Sequence, residues 1–162
     1  ASGAVEGPSS PGGRAPPQGC LGLKGECRGL ERRAYEVMST PVVSIQPDST
    51  LEEASRVMYE SNVGSVVVVE PGGRLAGILT RRDVLYLVAS GEARRNPRVS
   101  TVMATSVITG SMDEELSSIL SKMKTAGVKH VVVVDDEDKP VGIVSMWDVL
   151  MSVARECLMD DY

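Results

Sequence analysis

At 162 residues and a net charge of -5, the chain can form one compact domain or two small ones, and its acidity weighs against general binding to nucleic acid or an anionic membrane. It has no Phe, one Trp and four Tyr, so its core must be aliphatic, and base-stacking recognition of single strands is disfavoured. No apolar run approaches the roughly 18 to 20 residues of a membrane span and no hydrophobic signal core is present, so the expected location is the cytoplasm.

Residues 1–30 are rich in Gly, Pro and Ser and are expected to be a flexible tail. Its Cys20 and Cys27 are separated by six residues, unlike the common zinc pairs, and the only histidine is distant at His130. Three cysteines leave one unpaired in any intramolecular scheme, so these are read as incidental thiols in a reducing compartment, with no metal site.

A short helical lead-in is expected from Leu30 to Met38, and Thr40-Pro41 then directs the chain into a strand over Val42–Ile45. Pro47-Asp48-Ser49-Thr50, followed by Leu51, Ala54, Val57 and Met58, predicts a capped amphipathic helix ending near Asn62. Val66–Val69 reads as a buried strand, Pro71-Gly72-Gly73 as a turn, Leu75–Leu79 as a second strand and Thr80 to about Ala89 as a helix. The basic run Arg94-Arg95-Asn96-Pro97-Arg98 falls in a solvated linker over 91–98. The order then returns: a strand over Val107–Thr109, a helix from Asp113 to about Ala126, a strand over Val131–Val134, a turn at Asp136-Glu137-Asp138, a strand over Val141–Val144, and a helix from Ser145 to about Arg155. Met58, Met103, Met123, Met146, Met151 and Met159 are read mainly as core filler.

This return is a duplication. Shifting the chain on itself by 65 residues aligns Val37–Ser90 without a gap, and 19 of 54 pairs are identical. The fold class predicted is α+β, two β-α-β-β-α repeats packed together, since neither half alone has much core.

The best-matched stretch is Gly77-Ile78-Leu79-Thr80-Arg81-Arg82-Asp83 against Gly142-Ile143-Val144-Ser145-Met146-Trp147-Asp148. In each, a hydroxyl residue closes a strand three residues before an aspartate, the pattern of a helix capping box. Taken alone, such a motif is a cap. A strand-to-helix junction is also where phosphates and ribose hydroxyls are held, with an aspartate accepting from a cis-diol, and the repetition favours this second reading.

Together with the openings Met38-Ser39-Thr40-Pro41-Val42-Val43 and Met103-Ala104-Thr105-Ser106-Val107-Ile108, these motifs resemble a tandem pair of CBS domains, named for cystathionine beta-synthase. The resemblance spans about Val37 to Ala154, with repeats at 31–90 and 99–157. It implies a pseudo-twofold module with two clefts that bind adenosine-type ligands, a homodimer, and regulation of a separate effector protein according to energy or metabolite state. Asp83 and Asp148, beside Thr80 and Ser145, would hold ribose; Thr40, Val42, Val43, Val107 and Ile108 would meet adenine. Val63, Gly64, Val128, Lys129 and His130 would line the clefts, with Arg81 near the phosphates. The implied ligand is an adenine nucleotide (AMP, ADP or ATP), with no required cofactor. The Asp83 cleft, facing Lys129 and His130, is expected to be cationic, and the Asp148 cleft, facing Gly64 and Ser65, to lack that charge.

Catalysis is not expected, because no nucleophile has a base beside it and no GxxxxGK[ST] loop is present. Two alternatives remain: a constitutive dimerisation or partner-docking module with empty clefts, and a sensor of S-adenosylmethionine or methylthioadenosine.

Overall fold

The computed structural model describes residues 28–159, with side chains described up to Glu156. Residues 1–27 of the expected tail, Cys20, Cys27 and the Met159 side chain therefore lie outside the described residues, but the tail's last three residues are not flexible as expected: Gly29 is buried, its carbonyl accepts from the Ser152 hydroxyl at 2.9 Å, and Leu30 packs against the core of the second half. A 3-10 turn, Arg28–Leu30, and helix α1, Ala34–Val37, lead into strand β1, Ser44–Ile45, and helix α2, Leu51–Glu60. Strands β2, Ser65–Val69, and β3, Leu75–Thr80, and helix α3, Arg81–Ser90, complete the first half. After a 3-10 turn, Glu92–Arg95, the second half follows: α4, Val99–Val102; β4, Thr109–Gly110; α5, Leu116–Ala126; β5, His130–Val134; β6, Pro140–Ser145; and α6, Met146–Met159. Among the described residues no helix is long and apolar enough to cross a membrane.

Each half holds a three-stranded sheet, β1-β2-β3 or β4-β5-β6, with the first pair parallel and the second antiparallel. The duplication extends to register: Ser65 pairs with Thr80 as His130 pairs with Ser145, and the ladder shifts at Val68/Val69 as at Val133/Val134. The four-valine runs are buried on both faces because alternate side chains point to opposite sides. Val66 and Val68 join Leu51, Ala54, Met58 and Leu79 under the helices of the first half, and Val131 and Val133 do the same with Leu116, Ile119, Met123 and Val144. Val67 and Val132 point the other way and meet, with Ile78, Val42, Val107 and Ile143, in a third cluster between the sheets.

The lead-ins are exchanged. Ala34 is buried in the cluster of the second half, and Val99 in that of the first. The Ala34 amide donates to the Glu114 carbonyl at 2.8 Å and the Leu116 amide to the Arg32 carbonyl at 2.9 Å. Their counterparts are Val99 N–H to the Ser49 carbonyl at 2.8 Å and Leu51 N–H to the Pro97 carbonyl at 2.9 Å. The 91–98 stretch is thus more than a solvated linker: Arg94 and Arg95 are exposed as expected, but Arg98 donates to the Asp48 carbonyl, and Asn96 Oδ1 accepts from the Glu52 amide at 2.9 Å.

Several predicted bounds shift. The opening strands reach only Ser44–Ile45 and Thr109–Gly110, because the residues before them cross between the two sheets. Helix α5 begins at Leu116 rather than Asp113. The reason is Glu114, whose carboxylate turns back to accept from the Ser111 amide, the Ser118 hydroxyl and Lys122 Nζ. Burial alone would raise its pKa, but these bonds outweigh burial and hold the carboxyl below its ordinary value. Of the methionines, Met58 and Met123 are buried, Met103 and Met146 are partly buried, and Met151 is exposed, so core filling describes only some of them.

Candidate functional site: two clefts on the pseudo-twofold axis

The exchange of lead-ins builds the site. Ser39 is bridged to Ile143 of the second half, donating to its carbonyl at 2.9 Å. Four residues later, the Val43 carbonyl accepts from Val67 of the first half at 3.0 Å. The chain between them crosses the gap and forms one wall of a cleft of about 420 Å3, whose other walls include Val63, Gly64, Ser145 and Asp148. Ala104 and Ile78 exchange backbone bonds at 2.9 and 3.0 Å in the same manner, and Ile108 accepts from Val132 at 3.1 Å. This second crossing closes a cleft of about 520 Å3 with Val107, Ile108, Val128, Thr80 and Asp83. Both volumes suit a nucleoside-sized ligand.

Crowding at the crossings accounts for the glycine of each Gly-Ile motif. A Cβ on Gly77 would stand 2.5 Å from Met103 Sδ and 2.8 Å from the Ala104 carbonyl oxygen, and one on Gly142 would collide with Met38.

At the floor of each cleft the capping box is present. Asp83 Oδ2 accepts from the Thr80 amide at 2.9 Å and from its hydroxyl at 3.0 Å; Asp148 Oδ2 accepts from Ser145 at 2.7 and 2.9 Å. Among the described residues Oδ1 of each aspartate takes no hydrogen bond, so capping engages only one oxygen of each carboxylate. The two readings of the motif are compatible.

The residues before the valine strands are fastened to the same junctions, with the Arg81 amide donating to the Gly64 carbonyl at 3.0 Å and the Met146 amide to the Lys129 carbonyl at 2.9 Å. A Cβ on Gly64 would stand 2.9 Å from Arg81 Nη2 and 3.2 Å from His130 Nε2, so the guanidinium and the imidazole come together over this glycine. Burial, and next the charge of Arg81, hold the His130 imidazole below its ordinary pKa; Lys129 adds to this and Asp148 opposes it.

Of the residues expected in the clefts, Thr40 alone lines neither: it is exposed, and Ser39 and Pro41 on either side face the Asp148 cleft instead. The expected contrast in charge also needs correction. Arg81, Lys129 and His130 line both clefts, so the Asp148 cleft is not left to Gly64 and Ser65; Arg82 lines only the Asp83 cleft. Trp147, which is largely exposed, also borders the Asp148 cleft. Lining residues that were missed include Ser39, Val67, Ile78, Ala104 and Ile143, and also Asn62 and Gly127, which share a left-handed conformation with φ of 52° and 66°. For Asn62 and Gly127, their alignment across the 65-residue shift, immediately before Val63 and Val128, was the available signal.

The CBS domain profile matches the chain twice, at residues 34–90 and 99–155. The chain belongs to the CBS-domain family. Among its relatives, the CBS domain-containing protein YhcV of Bacillus subtilis (strain 168) is 34% identical over 118 residues, covering 72% of this chain and 82% of YhcV. The inosine-5'-monophosphate dehydrogenase of Methanocaldococcus jannaschii is 31% identical over 119 residues, covering 74% of this chain but 23% of the dehydrogenase. Among solved structures, the CBS domain pair of protein MJ0100 in complex with 5'-methylthioadenosine and S-adenosyl-L-methionine has a TM-score of 0.72 at 25% identity, covering 77% of this chain and 98% of that one. The CBS domain protein PAE2072 from Pyrobaculum aerophilum, complexed with AMP, has a TM-score of 0.67 at 24% identity over 76% of this chain and 98% of that one, a likeness of fold.

Proposed function

We propose that this CBS-domain pair is a regulatory module that binds adenosine-type ligands in its clefts and passes their presence to an effector protein without catalysing a reaction. The observation that carries the reading is the pair Asp83 and Asp148, each lining a nucleoside-sized cleft with the crossing backbone and each, among the described residues, engaging only one carboxylate oxygen in its cap. A carboxylate oxygen accepts from a ribose cis-diol, while the apolar crossing at Val42-Val43 or Val107-Ile108 offers adenine both backbone polar groups and a hydrophobic surface. Thr80 and Ser145 donate their hydroxyls to the aspartates of their own caps, which suits holding a ligand rather than nucleophilic attack. Arg81, Lys129 and His130 favour AMP, ADP or ATP over adenosine. The methylthioadenosine and S-adenosylmethionine bound by the MJ0100 pair support a second reading, an adenosyl-metabolite sensor.

Leu85 and Tyr86 of α3 and Trp147 of α6 are 69%, 65% and 67% exposed, and an apolar surface of this kind fits a homodimer.

Calorimetry with AMP, ADP, ATP, S-adenosylmethionine and methylthioadenosine tests the proposal. A ligand at about one hundred times its dissociation constant also stabilises the fold by roughly 2.7 kcal/mol, which a melting curve detects. GTP is expected to do less than ATP. Absence of binding by all five compounds would leave the constitutive docking module as the surviving reading.

A further inference from the structure

We propose that the two clefts share one anion position, so that the chain holds a single phosphate-bearing adenosine ligand at a time while the other cleft still accepts an adenosyl ligand without phosphate. The inference rests on the functional reading above and adds a rule of occupancy to it.

A symmetric pair would supply each cleft with its own cations. Here the 65-residue shift pairs Arg81 with Met146, Lys129 with Gly64 and His130 with Ser65. Every basic side chain of the set has a non-basic counterpart, and the three belong to both clefts at once. Gly64 makes the sharing geometric. It carries no side chain to divide the clefts, and the Arg81 guanidinium and His130 ring occupy the space a side chain would fill, at 2.9 and 3.2 Å from the absent Cβ.

A phosphate reaching the axis from either ribose position meets the same cluster. Once it has bound, a second phosphate from the opposite side finds those charges neutralised and a like charge close by. An adenosyl ligand without phosphate needs only the aspartate and the crossing backbone, so it escapes the competition. Charge, rather than shape, makes the occupancies interdependent.

Titration calorimetry on the whole chain tests this. Expected are one AMP per chain, two adenosines per chain, and one further adenosine in AMP-saturated protein. Arg81→Met is expected to weaken AMP by about tenfold or more while changing adenosine little, since one charge-assisted contact is lost. Met146→Arg, which gives the Asp148 cleft its own counterpart of Arg81, is expected to raise AMP from one to two per chain. Two equivalent AMP sites in the unaltered chain would overturn the shared position while leaving the proposed function standing. So would an Arg81→Met variant that weakens AMP and adenosine equally, or a folded Met146→Arg variant still limited to one AMP. Failure of AMP, adenosine, methylthioadenosine and S-adenosylmethionine all to bind would overturn both.

Discussion

Asp83 and Asp148 each close a helix cap with one carboxylate oxygen, and each lines a cleft. Replacing either by alanine is therefore expected to cost about 1 kcal/mol of stability through the cap, as well as the ribose contact. Each single variant is expected to keep one adenosine site, and the double variant to bind neither adenosine nor AMP, by calorimetry. His130 carries a pH signature. Because its folded pKa lies below the unfolded value, the unfolded chain binds more protons between the two, and stability from this source is complete above about pH 6.5 and lost as pH falls through the folded pKa. The groups around it are Arg81, Lys129 and Asp148. A bound phosphate offsets the two cations and raises the imidazole pKa, so AMP binding is expected to take up protons and to strengthen from pH 8 to about 6.5. Calorimetry in buffers of different ionisation enthalpy measures that uptake, and His130→Gln should flatten the profile.

The elements were legible where local chemistry decides them. The hydroxyl-x-x-acid motifs at Thr80 and Ser145 marked the starts of α3 and α6, and the valine runs marked β2 and β5. Less legible were the short β1 and β4, since Val42, Val43, Val107 and Ile108 have strand-forming side chains but lie on the crossings, with Val42 and Val107 packed between the sheets and Val43 and Ile108 against the cores of the two halves. The start of α5 was misplaced because the hydroxyl-x-x-acid pattern Ser111-Met112-Asp113-Glu114 closes a turn ahead of the helix, where Glu114 is also held by Lys122. The glycine of the Gly-Ile motifs was visible, but its reason was not: Gly77 and Gly142 make room for Met103 and Met38 of the opposite lead-ins. Gly77→Val is expected to destabilise the protein by about 1 to 3 kcal/mol, because the Ala104 backbone cannot yield as a side-chain tip can. Urea unfolding checks this, and Gly72→Val, with open space around its absent Cβ, is the control.

For the whole molecule, the 65-residue repeat disclosed the pair, and the resemblance it carried implied the two clefts, most of whose lining positions have counterparts on the other half. It could not disclose that the Arg81 guanidinium and the His130 ring come together there, since that depends on the missing side chain of Gly64. Helices α3 and α6 are apolar on two sides: Leu87 and Val149 point inward, while Leu85, Tyr86, Trp147 and Leu150 face outward. A combined Leu85→Asp and Leu150→Asp variant is thus expected to turn a dimer into a folded monomer, read by light scattering with an unchanged circular dichroism spectrum. The exchanged lead-ins also govern the order in which the molecule can be completed as it is made. When Ser90 leaves the ribosome the first half has its strands and helices but not Val99, and Ala34 has no second half to enter until Val144 and Val149 follow. The first core is complete once Val99 to Met103 have been added, whereas Ala34 waits for Val144 and Val149, so a nascent chain halted between them has one core closed and the other open.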